Sequence, residues 1–367
     1  MKSSEIFVNP ARRHVPKPSG TEPASLAFHR RLPGYAPTRL VDAPGLAEEL
    51  GLSAVSVKDE SERLGLPAFK ILGASWAVYN LLVDRLGAEP AWRDLDELRA
   101  AVEPLGALTL VAATDGNHGR AVAHMAHLFG YDAEILVPAG TADARIRGIE
   151  SEGAHVTVID GTYDDAVAAS AALARDDVLV VSDTSWDGYT EVPRTVIAGY
   201  DTILAEVDEQ LGAAATPEVV VSPMGVGALT AAVVDHYGET STIAAVEPLS
   251  AACGLRSAQA GHPVYVPGPH DSIMAGLNCG SVSVVAWPTV MHGVDVFVAI
   301  DDAAAEHAMR DLAAIGVVAG ETGAASLAGL RTLVESNALD LSGKRALVLC
   351  TEGATDPAAY RRIVGRP

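Results

Sequence analysis

The sequence predicts an α/β protein of two lobes, each built on a mostly parallel sheet flanked by helices. Runs rich in β-branched residues alternate along the chain with alanine-rich stretches of helical periodicity, the order typical of parallel sheets covered on both faces. The chain has 367 residues, and 49% of them are hydrophobic. That length exceeds the usual size of one domain, so two hydrophobic cores are expected.

Strands and helices are predicted in alternating order. We expect strands at the runs richest in β-branched residues, namely 54–59, 108–113, 133–138, 155–159, 178–182, 218–222, 242–246, 294–300 and 345–350. We expect helices where apolar residues recur every three to four positions, at 75–86, 119–130, 163–174 and 303–316. The strand runs contain few polar residues, as strands buried on both faces do.

An N-terminal arm and two lobes are expected from composition and from the order of elements. Residues 1–24 are rich in proline and serine and predict a surface arm, the larger lobe is expected at about 25–85 and 205–367, and the smaller at about 86–204. Unusual segments follow several predicted strands: KDE, TDGNHG, DTSWDGY, PMGVGAL and CTEGATD. Ligands of parallel sheets bind beyond the carboxyl ends of strands, so these segments are candidates for a binding site.

Charge and cysteine content exclude several classes of protein. The formal net charge is −21, from 26 basic and 47 acidic residues, and such a surface repels nucleic acid and anionic lipid. Three widely spaced cysteines, Cys253, Cys279 and Cys350, predict reduced thiols of a cytoplasmic protein. No export signal or membrane-spanning run is evident. The spacing of His118, His124 and His127 has no matching acid or cysteine, so no metal site is predicted.

Lys70 is a candidate nucleophile because of its apolar surroundings. Only five lysines occur in the chain, and this one lies in GLPAFKILGASWAVY, flanked by Phe69, Ile71 and Leu72. Desolvation lowers the pKa of a lysine, and a neutral amine can form a Schiff base with a carbonyl compound. A surface lysine with a buried stem is the alternative, and the glycine and alanine that follow make it less favourable.

A possible phosphate site lies in SPMGVGALTAAVV, where a predicted strand turns into a helix. Gly225 and Gly227 allow the backbone N–H groups to converge, and the helix N-terminus favours an anion. By itself the pattern is weak. The chain has no complete GxGxxG at this turn and no Walker-type GxxxxGK[ST], so neither dinucleotide nor nucleoside triphosphate binding is favoured.

These segments resemble motifs of the tryptophan-synthase-β-like (fold type II) pyridoxal-phosphate enzymes. FKILGA is similar to their cofactor-lysine motif, TDGNHG to their asparagine loop and GVGAL to their phosphate loop. The resemblance is closer to the diaminopropionate ammonia-lyase family, whose signatures are matched in order from about Phe28 to Val364. The matching stretches are FHRRLPGYAPTRL, KDESERLGLPAFKILGAS, TDGNHGRAVA, DTSWDGYTEVP, SIMAGLNCG, GETGAA and TEGATDPAAYRRIV.

The resemblance implies pyridoxal 5′-phosphate as the cofactor and a set of residues that hold it. Lys70 would form the Schiff base, and Asn117 would bond the 3′-oxygen of the pyridine ring. Cys350 or Thr351 would face the ring nitrogen as a neutral partner, which favours expulsion of a β-substituent over a long-lived carbanion. The phosphate cradle would consist of Gly225, Val226, Gly227 and Ala228.

The resemblance also implies substrate contacts. The loop containing Thr114, Gly116 and His118 would hold the substrate carboxylate through its backbone. Asp115 would recognise the second ammonium of 2,3-diaminopropionate and act as general base for one enantiomer, while Asp183 would bind the distal amine. Helix capping by Asp115 and a turn role for Asp183 are the structural alternatives.

Two further contacts and two departures from the family pattern complete the predicted site. Tyr189 is expected to contact the substrate as a wall of the cleft, with core packing as the alternative. Glu321 is expected near the cofactor ring, with a surface turn as the alternative. The segment before Gly320 is shorter than in the family, and Ala354 stands where the family pattern has an acid. Both departures bear on the choice of substrate.

The function implied is elimination of the β-amine of 2,3-diaminopropionate, giving pyruvate and ammonia. A small amino acid is the expected substrate, with no nucleic acid or membrane partner, and a homodimer is the expected assembly. The alternatives are a serine or threonine dehydratase, a β-replacement transferase, a racemase, and a binding protein that carries no cofactor.

Overall fold

The structure is a computed structural model that describes residues 3–13, 23–114, 116–212 and 215–365. The chain forms two compact units. The larger unit comprises the described residues of 1–21, 37–62 and 203–367, and the smaller unit those of 22–36 and 63–202. Residues 25–36 and 63–85 therefore group with the smaller unit, whereas the sequence placed them in the larger lobe.

A strand lies at each of the nine predicted runs. In chain order they are β1 Ser4–Val8, β2 Leu40–Asp42, β3 Ala54–Asp59, β4 Thr109–Ala113, β5 Asp132–Pro138, β6 His155–Ile159, β7 Val178–Val180, β8 Val219–Pro223, β9 Thr242–Pro248, β10 Val296–Ile300 and β11 Arg345–Cys350. The sequence did not predict β1 or β2.

Helices cover the sheets between these strands. In chain order they are α1 Ala24–His29, α2 Pro44–Leu50, α3 Lys70–Leu86, α4 Leu95–Val102, α5 Asn117–Phe129, α6 Asp143–Glu150, α7 Tyr163–Ala171, α8 Glu191–Leu211, α9 Ala228–Tyr237, α10 Cys253–Ala260, α11 Trp287–Gly293, α12 Asp302–Ala314, α13 Glu321–Ser336 and α14 Pro357–Val364. Short 3₁₀ helices lie at Glu103–Leu105, Leu249–Ala251 and Ala275–Leu277. The boundary between the two units falls within α8.

The larger unit contains, within the described residues, a seven-stranded sheet in the order β1-β10-β9-β8-β11-β3-β2. The five inner strands are parallel, while the edge strands β1 and β2 run antiparallel to their neighbours. Val219, Val298 and Val348 are among the buried residues of its core. Residues 4–8 are thus an edge strand paired with β10, which corrects the prediction that all of 1–24 is a surface arm; residues 1, 2 and 14–22 lie outside the described residues.

The smaller unit contains, in the part of the chain that is described, a four-stranded parallel sheet in the order β6-β5-β4-β7. Val111, Leu136 and Val180 are buried in its core. With the larger sheet, this arrangement confirms the predicted α/β class with mostly parallel strands.

The strand order brings pairs of the unusual segments to one sheet edge in each unit. In the smaller unit TDGNHG follows β4 and DTSWDGY follows β7, and these strands are parallel neighbours. In the larger unit PMGVGAL follows β8 and CTEGATD follows β11, which are also parallel neighbours. Carboxyl ends of adjacent parallel strands meet at one edge, so each unit has its own candidate binding edge.

The KDE segment of the larger unit has a structural role. Lys58 is completely buried, and its Nζ donates to Glu206 Oε2 at 2.7 Å and to the carbonyl oxygen of Thr38 at 3.0 Å. Glu60 accepts from the Thr38 hydroxyl at 2.6 Å. A buried charge is tolerated when it is paired and hydrogen-bonded, and this network meets that condition.

Candidate active site

Lys70 is the first residue of α3 in the smaller unit. Its neighbours Phe69, Ile71 and Leu72 are buried, and its own side chain is 19% exposed. The ammonium donates to Asp183 Oδ2 at 2.6 Å. The structure thus joins the predicted nucleophile and one predicted acid, which lie 113 residues apart in the chain.

Asp183 is an ionised carboxylate that is almost completely buried. The residue is 5% exposed, and it follows β7 by three positions. Burial raises the pKa of this carboxyl, but the adjacent charge and hydrogen bond of Lys70 outweigh burial, and the pKa lies well below its ordinary value. The carboxylate therefore stays charged throughout the neutral pH range.

Tyr163 is a contact of Asp183 that the sequence did not reveal. It is the first residue of α7, whose start is fixed by a capping box between Thr162 and Asp165. Its hydroxyl donates to Asp183 Oδ1 at 3.2 Å. Both carboxylate oxygens of Asp183 are thus engaged, one by an ammonium and one by a phenol, and this fixes the plane of the carboxylate.

The TDGNHG loop joins β4 to α5. The buried Thr114 accepts from the N–H groups of Gly116 and Gly119 at 2.9 and 3.0 Å, so it caps the start of α5. A side chain at position 119 would come within 2.3 Å of Thr114, and therefore only glycine fits. Asn117 begins the helix and is half-buried, whereas Asp115 lies outside the described residues. The start of α5 therefore has a fixed backbone, in which Thr114 already engages two of the N–H groups.

His118 and Tyr189 brace the segment that carries Asp183. His118 Nε2 donates to the carbonyl oxygen of Val181 at 2.7 Å, and burial lowers the pKa of this imidazole, which therefore stays neutral. The Tyr189 hydroxyl donates to Val180 and accepts from the N–H of Ser182, at 2.7 and 3.1 Å. Since that hydroxyl is used by the backbone, we propose that Tyr189 supports the loop in place of the predicted contact with substrate.

The PMGVGAL turn of the larger unit has the backbone expected of an anion cradle. Gly227 has φ +97° and precedes α9, and no side chain of the described residues caps this helix. A side chain at Gly225 would come within 3.0 Å of the carbonyl oxygen of Gly276. Val226 accepts from the N–H of Ser283 at 2.8 Å, and Ala228 is the first helical residue. The four predicted residues thus form one tight turn whose helix N-terminus is available to a phosphate.

The structure at the end of β11 favours one of the two residues that were predicted to face the nitrogen of the cofactor ring. Cys350 is fully buried, burial raises the pKa of its thiol, and its Sγ lies 3.7 Å from the carbonyl oxygen of Glu352. The Thr351 hydroxyl is buried and has no hydrogen-bond partner within the described residues. A buried hydroxyl normally finds a partner, so Thr351 is the better candidate of the two.

The GETGAA and TEGATD segments pack against each other in the larger unit. The N–H of Gly320 donates to the carbonyl oxygen of Glu352 at 3.0 Å, and a side chain at Gly323 would come within 2.3 Å of that oxygen. Glu321 begins α13 and is 5% exposed. The short stretch that follows α12 therefore leads directly into a tightly packed turn.

Three other predictions concern metal ligands, membrane helices and thiols. No group of three or more potential metal ligands occurs among the described residues. None of the helices in those residues is long and apolar enough to cross a membrane. Cys253, Cys279 and Cys350 are free and buried.

Replacing Gly227 with alanine is expected to weaken cofactor binding about tenfold. A side chain at a positive φ costs about 1–2 kcal/mol, and relief of this strain would distort the turn. Gly343→Ala is the matched control, because Gly343 also has a positive φ (+68°) but precedes the amino end of β11 and has open space around it. The measurement is titration of the full-length apoprotein with pyridoxal phosphate, followed by visible absorbance. Equal affinities for the two variants would contradict a phosphate site at Gly227.

Comparison with known proteins identifies the class of this enzyme. A family model described as pyridoxal-phosphate dependent enzyme matches residues 31–352, and the chain belongs to that class. Diaminopropionate ammonia-lyase of Salmonella typhimurium is 36% identical, with 92% of this chain and 90% of that protein covered. The chain belongs, within the class, to the diaminopropionate ammonia-lyase family.

Solved structures give the same result. The crystal structure of Escherichia coli diaminopropionate ammonia lyase in complex with D-serine has a TM-score of 0.89 at 33% identity, with 98% of this chain and 96% of that chain covered. The complex of the same enzyme with an aminoacrylate–PLP azomethine reaction intermediate has a TM-score of 0.86 at 32% identity over the same shares. The predicted family, fold and cofactor are confirmed.

The residues present fit pyridoxal phosphate. The uncapped turn at Gly227 could hold the phosphate, and the unpartnered Thr351 hydroxyl could meet the ring nitrogen. Lys70 supplies a partly accessible amine at the start of a helix. These assignments are proposals that rest on local geometry in each unit.

Proposed function

We propose that this protein is a pyridoxal-phosphate dependent ammonia-lyase that eliminates the β-amine of 2,3-diaminopropionate. The products are pyruvate and ammonia. Support comes from the Salmonella typhimurium relative and from the Escherichia coli structures, each of which carries the name of this activity. The residues of this chain supply a separate, physical reason for a substrate with two amines.

The observation that carries the proposal is the buried carboxylate of Asp183 beside Lys70. The Lys70 ammonium is its cationic partner at 2.6 Å. Once Lys70 is committed to the cofactor, Asp183 needs another cation, because an unpaired charge in a dry site is strongly unfavourable. The second ammonium of 2,3-diaminopropionate provides that cation, whereas the hydroxyl of serine or threonine does not.

Asp183 also prepares the leaving group. Its carboxylate keeps the β-amine of the substrate protonated, and an ammonium leaves as neutral ammonia without a further acid. The Tyr163 hydroxyl bond at 3.2 Å keeps the carboxylate oriented during this step. The released enamine then hydrolyses in water to pyruvate and a second ammonia.

Pyridoxal phosphate, when bound, supplies an electron sink that stabilises negative charge at the substrate α-carbon. Lys70 holds the cofactor and, once free, removes the α-proton from one face with Nζ. Asp115 is proposed as the base for the opposite face. The backbone of the loop that contains Thr114, Gly116 and His118 would hold the substrate carboxylate, and Asn117 would hold the cofactor ring through its 3′-oxygen.

Incubation of the purified protein with the D and L isomers of 2,3-diaminopropionate tests the function. We expect pyruvate from at least one isomer, with kcat/KM at least about 100-fold above that for serine or threonine, since one buried ion pair separates the substrates. Serine or threonine as the better substrate would favour a dehydratase. A requirement for a second nucleophile would favour β-replacement, and inversion of the substrate without pyruvate would favour racemisation.

A homodimer in the cytoplasm is proposed for the assembly and its location. The strongly acidic composition, with a formal net charge of −21, favours a water-soluble enzyme that does not bind nucleic acid or anionic membranes. Light scattering at working concentration tests the assembly: a mass near 76 kDa, twice the chain's 37.9 kDa, is expected, and a mass of 37.9 kDa would contradict it.

A further inference from the structure

Tyr200 is a completely buried residue of α8 in the smaller unit, and neither the motifs nor the proposed mechanism uses it. Its ring packs on Phe69, with centroids 4.7 Å apart and planes inclined by 50°. Phe69 immediately precedes Lys70. The ring is therefore placed against the first turn of α3, the turn that carries the cofactor lysine.

Two glycines make this placement possible. A side chain at Gly73 would come within 2.6 Å of Cε1 and 2.8 Å of Cζ of Tyr200. A side chain at Gly199 would come within 2.5 Å of the carbonyl oxygen of Leu72. Glycine inside a helix costs about 1 kcal/mol relative to alanine, so α3 and α8 each contain a locally unfavourable residue where the Tyr200 ring is seated.

The hydroxyl of Tyr200 is buried and lacks an ordinary partner. Among the described residues, no group meets it at a hydrogen-bonding distance and angle. Burial raises the pKa of Tyr200 far above its ordinary value, while the nearby Lys70 ammonium lowers it and Asp183 raises it. The phenol is thus neutral. The charged groups that affect its pKa are Lys70 and Asp183, which are also the residues proposed to take part in catalysis.

We propose that Tyr200 is a positioning residue that donates its hydroxyl hydrogen to the neutral amine of Lys70. The catalytic role of this hydrogen bond rests on the proposed function, whereas the packing and burial of Tyr200 are independent of that function. The hydrogen bond would hold the lysine amine in place after it leaves the cofactor and keep its lone pair directed while the amine is uncharged.

The hydrogen bonds already made by the side chains around Lys70 support this assignment. Asp183 is ionised and can only accept hydrogen bonds. The Tyr163 hydroxyl donates to Asp183, and the His118 Nε2–H donates to Val181. Among these side chains, only Tyr200 retains an unused donor for a neutral amine.

The experiment compares Tyr200→Phe with Tyr131→Phe. Tyr131 lies in the same unit, and its hydroxyl is also buried without a partner in the described part of the chain, but it immediately precedes the amino end of β5. Removing a donor to the neutral amine destabilises that form, so Tyr200→Phe should raise the pKa of Lys70 by about 0.5–1 pH unit. Tyr131→Phe should leave it unchanged.

Acetylation of the full-length apoprotein measures this shift without turnover. An amine reacts with acetic anhydride only in its neutral form, so below the pKa of Lys70 the acetylation rate of this lysine should fall about three- to tenfold in Tyr200→Phe. Mass spectrometry of the peptides gives the rate, with Lys344 as internal reference. In the holoenzyme, the acid limb of kcat/KM should move to higher pH by the same amount.

An unchanged or faster acetylation rate in Tyr200→Phe would overturn the proposal, whatever the effect on turnover. An equal slowing in both variants, or a slowing accompanied by loss of the folded state in thermal unfolding, would also overturn it. If the rate shifts as expected but wild-type protein makes no pyruvate, the positioning role stands and the proposed function fails.

Discussion

Lys70→Ala is expected to abolish pyruvate formation from 2,3-diaminopropionate, with kcat reduced at least roughly 10,000-fold. Lys70 is proposed both to hold the cofactor and to move the α-proton, and loss of a base alone costs about 100- to 10,000-fold. The variant also leaves Asp183 as a buried carboxylate without its ammonium partner. Removal of one partner of a fully buried ion pair lowers the free energy of unfolding by about 3–5 kcal/mol. Because Lys70 is partly exposed, we expect Lys70→Ala to lower it by about 3 kcal/mol or less.

Lys70→Arg separates the two roles of this lysine. Arginine keeps a positive charge for Asp183 but cannot carry the cofactor covalently, so we expect a stability near that of the wild type together with the full loss of turnover. Thermal unfolding measures the first quantity, and pyruvate formation the second. Lys344→Ala, at a half-buried position before β11, is the control for the loss of a lysine elsewhere.

Peptide mapping after borohydride reduction identifies the lysine that carries the cofactor. Lys58 is the other described lysine next to acidic residues, but it is completely buried and paired with Glu206, so it should not be labelled. A label on any lysine other than Lys70, or persistent turnover in Lys70→Arg, would contradict the proposed site and the mechanism with it.

The inner strands could be predicted because burial on both faces leaves a local signature. Runs such as VVVSP and VFVAI contain hardly any polar residues, and the structure places both among the five inner strands of the larger sheet. The edge strand β1 carries no such signature. Its residues are mostly half-buried, and it pairs with a strand almost 300 positions away, which no local pattern encodes.

The candidate site was predictable where a motif fixes the backbone and unpredictable where a contact spans the chain. The turn at Gly227 and the helix start at Asn117 follow from glycines next to strand ends. Tyr163 and Tyr200 lie in helices, and nothing nearby in the sequence reveals that Tyr163 donates to Asp183 or that the Tyr200 ring packs on Phe69. Gly73 was a partial signal, since a glycine early in a helix suggests a close neighbour.

Asp183→Asn is expected to lower kcat/KM for 2,3-diaminopropionate about 100- to 1,000-fold. The amide retains the size of the side chain and can still accept from Tyr163, but it cannot pair with the second ammonium of the substrate. Loss of one partner of a buried ion pair costs about 2–5 kcal/mol, and each 1.36 kcal/mol corresponds to about tenfold. Serine, which lacks a second ammonium, should lose less than about tenfold.

Tyr163→Phe is a milder change at the same carboxylate and is compared with Asp183→Asn. It removes the 3.2 Å hydrogen bond to Oδ1 and leaves the carboxylate charged, so we expect a loss of about threefold to tenfold with 2,3-diaminopropionate. The visible spectrum of each variant reports whether the cofactor is still bound. Equal losses with 2,3-diaminopropionate and serine in Asp183→Asn would show that this carboxylate does not recognise the second amine. The preference for a diamino acid would then require another source, because within the described residues Asp183 is the buried carboxylate that pairs with Lys70.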